Sequence, residues 1–184
     1  MKNAFLTGKT VYLRCIERED IIADYLRWAN DEEVTHYMVL GLKPTNKEMM
    51  ETEYEKMIAD DTQITFAIVD KKTNKHIGNT GLYSISWIPR SAEVRIIIGE
   101  KSFWGKGAGT EAISLLIEYG FEKLNLEKLW LGVTDKNERA VKTYLKTGFV
   151  KEGFLRHTWF RNNEYYNDIR MGILKEEYLK LKKK

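Results

Sequence analysis

The stretch that most constrains this chain is Trp104-Gly105-Lys106-Gly107-Ala108-Gly109-Thr110, a loop in which every second residue is glycine or alanine-flanked glycine. Before it, Ala92, Val94, Ile96 and Ile98 alternate along one side of a strand; after it, Ala112, Leu115, Leu116 and Tyr119 mark one helix face at i, i+3, i+4, i+7. Such a loop lets consecutive backbone N–H groups converge at the positive end of a helix, which suits a phosphate or pyrophosphate. Two nucleotide motifs fail on inspection. The P-loop needs four residues between its glycines and then Gly-Lys-Ser/Thr, whereas five residues separate Gly99 from Gly105 and Gly107 follows Lys106. The dinucleotide fingerprint fails at its third glycine, which here is Thr110.

The rest of the chain reads as a mixed α/β protein of one domain spanning residues 1–184. Val11, Leu13 and Cys15 alternate as a strand, Glu17–Asn30 and Asn46–Ala59 are helical, and Gln63–Val69 with Ile77–Ile85 form a hairpin. Leu129–Val133 is a strand, and Asp135 with Glu138 has capping-box spacing for a helix that carries Ala140, Val141, Tyr144 and Leu145 and stops at Gly148. Phe149–Thr158 and Tyr165–Leu174 are two last strands around the turn Arg161-Asn162-Asn163-Glu164. The lone Cys15 excludes an internal disulfide, and its alternation with apolar neighbours predicts burial. His36, His76 and His157 lack close ligand spacing, so no metal is expected. No apolar run has the length of a signal peptide or membrane span, and a reducing, cytoplasmic setting is the expectation. A net charge of +3 includes the Lys182-Lys183-Lys184 tail, read as a solvated end, so no nucleic acid is expected as a direct partner.

The loop resembles motif A of the GNAT superfamily of N-acetyltransferases, Gln/Arg-x-x-Gly-x-Gly/Ala, with Trp104 in place of the usual Gln or Arg. Ala92-Glu93, Thr110-Glu111-Ala112, Asn137-Glu138-Arg139-Ala140, Tyr144 and Gly148-Phe149 follow in the order seen in the branch that holds ribosomal-protein N-terminal acetyltransferases and spermidine acetyltransferases. The resemblance implies a mostly antiparallel twisted sheet of about seven strands flanked by helices. Its fourth and fifth strands splay apart, and acetyl-CoA enters the gap. It further implies that Ile96, Ile97 and Ile98 offer backbone hydrogen bonds to the pantetheine arm, and that the amides of Trp104, Gly105, Lys106, Gly107, Ala108, Gly109 and Thr110 cradle the pyrophosphate. Lys106 is either a phosphate contact or an exposed loop cation. Asn137 and Tyr144 share one helix face about 10 Å apart. By resemblance Asn137 contacts the cofactor arm and Tyr144 protonates the leaving thiolate; on the residues alone, Asn137 is a helix cap and Tyr144 a core residue.

Glu93 points away from Val94 and Ile96 and is either the group that draws the proton from the amine or a surface partner of Arg95. An amide within Ile97–Gly99 is the expected oxyanion donor. The acidic run Asp31-Glu32-Glu33 either attracts a cationic amine or ends a helix, while Trp159-Phe160 and Tyr165-Tyr166 are candidates for an acceptor groove. The leading expectation is direct acetyl transfer to a protein N-terminal α-amine. A polyamine or other small amine is the alternative, with a non-catalytic CoA-binding regulatory module or a basic RNA-binding domain as different classes. A homodimer is compatible with the branch.

Overall fold

In a computed structural model that describes residues 1–161 and 163–183, the chain opens with β1 (Leu6–Thr7) against β2 (Val11–Cys15). Asn162 of the expected turn and Lys184 of the basic tail lie outside the described residues. A π-helical turn, Asp20–Tyr25, runs into α1 (Leu26–Ala29), followed by α2 (Glu32–Thr35) and α3 (Lys47–Ala59). The meander β3 (Ile64–Asp70), β4 (His76–Ser86) and β5 (Ser91–Ile98) then leads through the glycine loop into α4 (Ala108–Glu118), which continues as a π-helical turn, Tyr119–Lys123. β6 (Lys128–Thr134), α5 (Glu138–Lys146), β7 (Val150–Arg161), β8 (Glu164–Leu174) and α6 (Lys175–Lys182) complete the order.

The strands form one sheet, β1-β2-β3-β4-β5-β6-β8-β7, antiparallel at every step except β5 to β6. That parallel pair holds only over Ser91, Ala92 and Glu93 against Lys128, Leu129 and Trp130; the two strands then part, although β5 runs on to Ile98 and β6 to Thr134. The divergence is the one implied between the fourth and fifth strands, renumbered because the sheet has eight strands rather than about seven. The extra strand, β1, pairs only Leu6 with Leu13 and Thr7 with Tyr12, too few residues to leave an alternation in the sequence.

Helices α4 and α5 cover one face of the sheet over a core that includes Leu13, Ile68, Leu82, Val94, Leu116 and Leu131. On the other face, Tyr12, Ile21, Ala67 and Val69 pack with Met50 of α3, and Trp28, Val34 and Ile97 form a smaller cluster. Cys15 is exposed, contrary to its alternation, because it ends β2 beyond Val11 and Leu13, the residues that the helix-covered core takes in. Leu145 is likewise exposed, leaving Val141 and Tyr144 as the buried residues of α5. The cap of α5 is Asn137, whose Oδ1 accepts from Ala140 N at 3.1 Å, and not Asp135, which accepts from Asn167 Nδ2 at 2.7 Å. Lys182 is not a free tail residue: it lies in α6 and pairs with Glu122.

The far end of β5 is held from below. A Cβ on Gly99 would fall 1.9 Å from the indole of buried Trp28, so only glycine admits this approach. Next in sequence, Glu100 accepts from Lys75 Nζ at 2.6 Å, from Trp28 Nε1 at 3.2 Å and from Arg27. Burial raises the Glu100 pKa, but these three donors outweigh it and hold the carboxyl down at about 2. A carboxyl whose folded pKa is depressed contributes stability above its unfolded pKa and loses it as pH falls toward the folded value. Glu100→Gln is expected to lower the melting temperature at pH 7 by roughly 4–8 °C. In thermal melts the gap between the two proteins narrows below about pH 4; a gap that persists at pH 2 contradicts this account.

Candidate active site

Where β5 and β6 part, a cleft of about 1220 Å³ opens between them, lined by residues from β5, the glycine loop, β6, α5 and the last hairpin. It collects most of the residues singled out above. Glu93, Ile96, Ile97 and Ile98 form one wall, Trp104, Gly105, Gly107, Gly109 and Thr110 the end, and Asn137 and Tyr144 the α5 side. Lys106 and Ala108 are not on that lining: Lys106 is exposed and Ala108 is buried in the core.

The loop's amides are placed as its glycines suggest. Gly105 at φ +72° and Gly107 at φ +90° are left-handed, where a side chain strains the backbone. Trp104 N donates to Lys101 O at 3.0 Å and Glu111 N to Gly107 O at 3.0 Å; among the described residues no partner takes the six amides from Gly105 to Thr110 between them. Trp104 therefore drops out of the expected amide cradle, its N–H being committed locally. Six consecutive donors at the entrance of an eleven-residue helix fit the diphosphate of a coenzyme A thioester. Trp104 contributes by its side chain instead. Its indole Nε1 donates to Ile98 O at 2.7 Å, and the Arg139 guanidinium stacks on the ring at 4.3 Å. Arg139, with Lys142 and Lys146, also lines a shallow basic groove beside Thr110. Spacing alone gave no sign of this cation beside the loop, since the stack joins α5 to a residue far away in sequence.

Along β5 the backbone alternates between its two neighbours. Ile97 O abuts β4, where a Cβ on Gly78 would lie 2.1 Å from it, and Gly99 N donates to Ile77 O at 3.0 Å. Of the three isoleucines, Ile96 and Ile98 thus turn their backbone groups toward the gap, and the Ile98 carbonyl is already held by Trp104. Ile97 is committed to the sheet, which corrects its expected place among the pantetheine contacts.

Tyr144 is buried against Phe149, ring to ring at 5.9 Å, and lines the cleft. Burial alone pushes its pKa up to about 12, so the phenol stays protonated across the working pH range. Glu93 is the last β5 residue paired with β6, opposite Trp130, and so stands at the fork of the two strands. Its Oε2 accepts from Arg95 Nη2 at 2.6 Å, and that bond is the largest cause of the raised Arg95 pKa. The Arg95 pairing expected of Glu93 is present, and the ion-paired carboxylate also lines the cleft.

The opposite wall comes from residues the sequence left undecided. Asp31 caps α2, accepting from Glu33 N at 3.0 Å and Val34 N at 3.2 Å, and binds Lys101 at 2.9 Å, so the acidic run is largely a helix start. Trp159 faces the cleft while Phe160 is exposed, and Tyr166 is buried while Tyr165 is exposed. Arg161 Nη1 donates to Thr35 O at 2.5 Å and Met38 O at 2.8 Å, fastening the β7–β8 hairpin to the end of α2 and the segment after it. His76 lies apart from the cleft, with Nε2 2.7 Å from Asn79 Oδ1. Among the described residues no group of three or more His, Cys, Asp or Glu is placed to hold a metal ion, and no helix is long and apolar enough to cross a membrane.

Comparison with known proteins agrees with this geometry. The acetyltransferase (GNAT) domain family matches residues 10–150. The chain is 36% identical over 173 residues to spermidine N(1)-acetyltransferase of Escherichia coli K12, covering 94% of this chain and 90% of that protein. It is 39% identical over 130 residues to the enzyme of the same name from Vibrio cholerae serotype O1, covering 71% and 74%. The crystal structure of spermidine N-acetyltransferase from Vibrio cholerae in complex with CoA and spermine superposes with a TM-score of 0.85 at 34% identity, covering 94% of this chain and 99% of that one. A parted β5–β6 pair, a glycine loop with free amides and a protonated tyrosine inside the gap, joined to these likenesses, place the chain in the GNAT family as an acetyl-CoA-dependent N-acetyltransferase.

Proposed function

We propose that this enzyme transfers the acetyl group of acetyl-CoA directly to a primary amine of a polyamine, with spermidine as the leading acceptor. The observation that carries this reading is the likeness, over nearly the whole chain, to spermidine N-acetyltransferases. It favours the polyamine over the protein α-amine ranked first on sequence.

The choice of acceptor changes what the site must do. An aliphatic amine with pKa near 10.4 costs about 4–5 kcal/mol to deprotonate at pH 7, against about 1 kcal/mol for an α-amine near 8. A polyamine therefore needs a proton acceptor more than a protein N-terminus does. Glu93 at the strand fork takes this role, drawing the proton through water while Arg95 orients its carboxylate. Of the amides in Ile97–Gly99, the Ile98 N–H is the one left facing the gap, positioned to stabilise negative charge developing on the acyl oxygen. Tyr144, kept protonated by burial, donates a hydrogen bond and then a proton to the departing sulfur. A thiol of pKa near 8.5 asks little more of it.

Mass spectrometry of enzyme and acetyl-CoA incubated with spermidine or with an Ala- or Ser-initiated peptide tests the acceptor; acetylation of the peptide alone overturns the polyamine reading. Tyr144→Phe is expected to lower kcat by about 100-fold with the acetyl-CoA KM within about twofold of wild type; unaltered turnover removes Tyr144 from the mechanism. Gly107→Ala, which forces a side chain into left-handed backbone, is expected to raise the acetyl-CoA KM by about tenfold in steady-state assays. An unchanged KM would mean that the loop amides do not hold the cosubstrate.

A further inference from the structure

Among the described residues two buried side-chain atoms have no hydrogen-bond partner, Thr134 Oγ1 and Asp168 Oδ2. They are neighbours: Thr134 of β6 and Asp168 of β8 face each other directly in the sheet register. Both line the cleft that holds Glu93 and Tyr144. Thr134 is 5% and Asp168 1% exposed, so neither is satisfied by bulk solvent. Buried polar groups are normally paired, and two atoms side by side in a substrate cleft without a hydrogen bond, one of them held only by an ion pair to Arg170, point to a partner that arrives with the ligand.

The surroundings define that partner. Asp168 is a carboxylate, and an acceptor of hydrogen bonds only, so it calls for a donor. Arg170 Nε approaches Oδ2 to 2.9 Å as an ion pair without hydrogen-bond alignment, its guanidinium lying over Trp130 at 5.4 Å. Trp159 Nε1 reaches Oδ1 only at 3.5 Å. A carboxylate has roughly four lone-pair sites, so these contacts leave room for a compact cation with several donors, which describes an ammonium group. Gly132, two residues before Thr134, keeps the approach open: a Cβ there would lie 2.9 Å from Asp168 Oδ1.

We infer that Asp168 and Thr134 form an anchor for a second, non-reacting ammonium of the acceptor, so that the enzyme selects linear diamines and polyamines over monoamines. This inference rests on the polyamine reading and assigns it a specificity-determining pair. It divides the labour between two carboxylates of the cleft: Glu93 serves the amine that reacts, and Asp168 the one that stays charged.

The test compares 1,6-diaminohexane with hexylamine, which has the same chain and one amine fewer. The wild-type enzyme is expected to prefer the diamine by tenfold or more in kcat/KM, and Asp168→Asn to cut that ratio by about 10- to 100-fold through the diamine KM. Thr134→Val removes an unpaired buried hydroxyl, so it is expected to keep or raise the melting temperature while lowering the same ratio severalfold. This second variant keeps the test decisive if Asp168→Asn folds poorly. A ratio unchanged in Thr134→Val and in folded Asp168→Asn overturns the anchor alone. A wild-type enzyme that acetylates neither amine nor spermidine overturns the polyamine reading and the anchor with it.

Discussion

The structure depends on a pairing that stops. Parallel strands joined by a crossover helix normally stay hydrogen-bonded along their length, yet β5 and β6 share only three registered residues before diverging. Backbone groups exposed by that divergence must find other partners or face water, and here they line a site. The departure is held on the β5 side by Gly99 against Trp28 and by the three donors on Glu100, so the open strand end is braced from the far face of the sheet. What looks like a defect in the ladder is thus a supported edge, and loop, tyrosine and carboxylates are arranged around it.

Trp104 shows how a departure from the usual pattern is accommodated. The side chain that would ordinarily be polar at this position is an indole, but its N–H bonds the free carbonyl of Ile98 and its face receives Arg139. One ring closes the loop on the strand edge and brings a cation from α5 beside the unpaired loop amides. With Trp104 in place of Gln or Arg, the cation beside the loop comes from Arg139 of α5.

The strand and helix order was largely legible because β3, β5 and α4 obey simple periods, and the glycine loop announced itself by composition. Elements without room for a period escaped: β1 has two residues, and the segment from Asp20 to Tyr25 is a π-helical turn within an apolar pattern that resembles an ordinary helix. Asn137 and Asp135 are both good caps, and the choice between them rests on Asn167, which claims Asp135 from another strand. Asp168 was illegible for a related reason. Its alternation with Tyr166 and Arg170 marks a polar face, but that this face is roofed by Trp159 and set against Thr134 follows only from the order β6-β8-β7.

The fastening of the hairpin by Arg161 has a mechanical consequence. Its guanidinium grips mainly main-chain carbonyls, those of Thr35, Met38 and Leu40, with one 3.5 Å bond to the Thr35 hydroxyl, so a substitution on the facing segment deletes little of the grip. The segment after α2 and the tip of β7–β8 are therefore riveted together, and an acceptor too bulky for the mouth must displace both at once. Changes of amine preference in such an enzyme would come most readily by altering the two pieces as a pair.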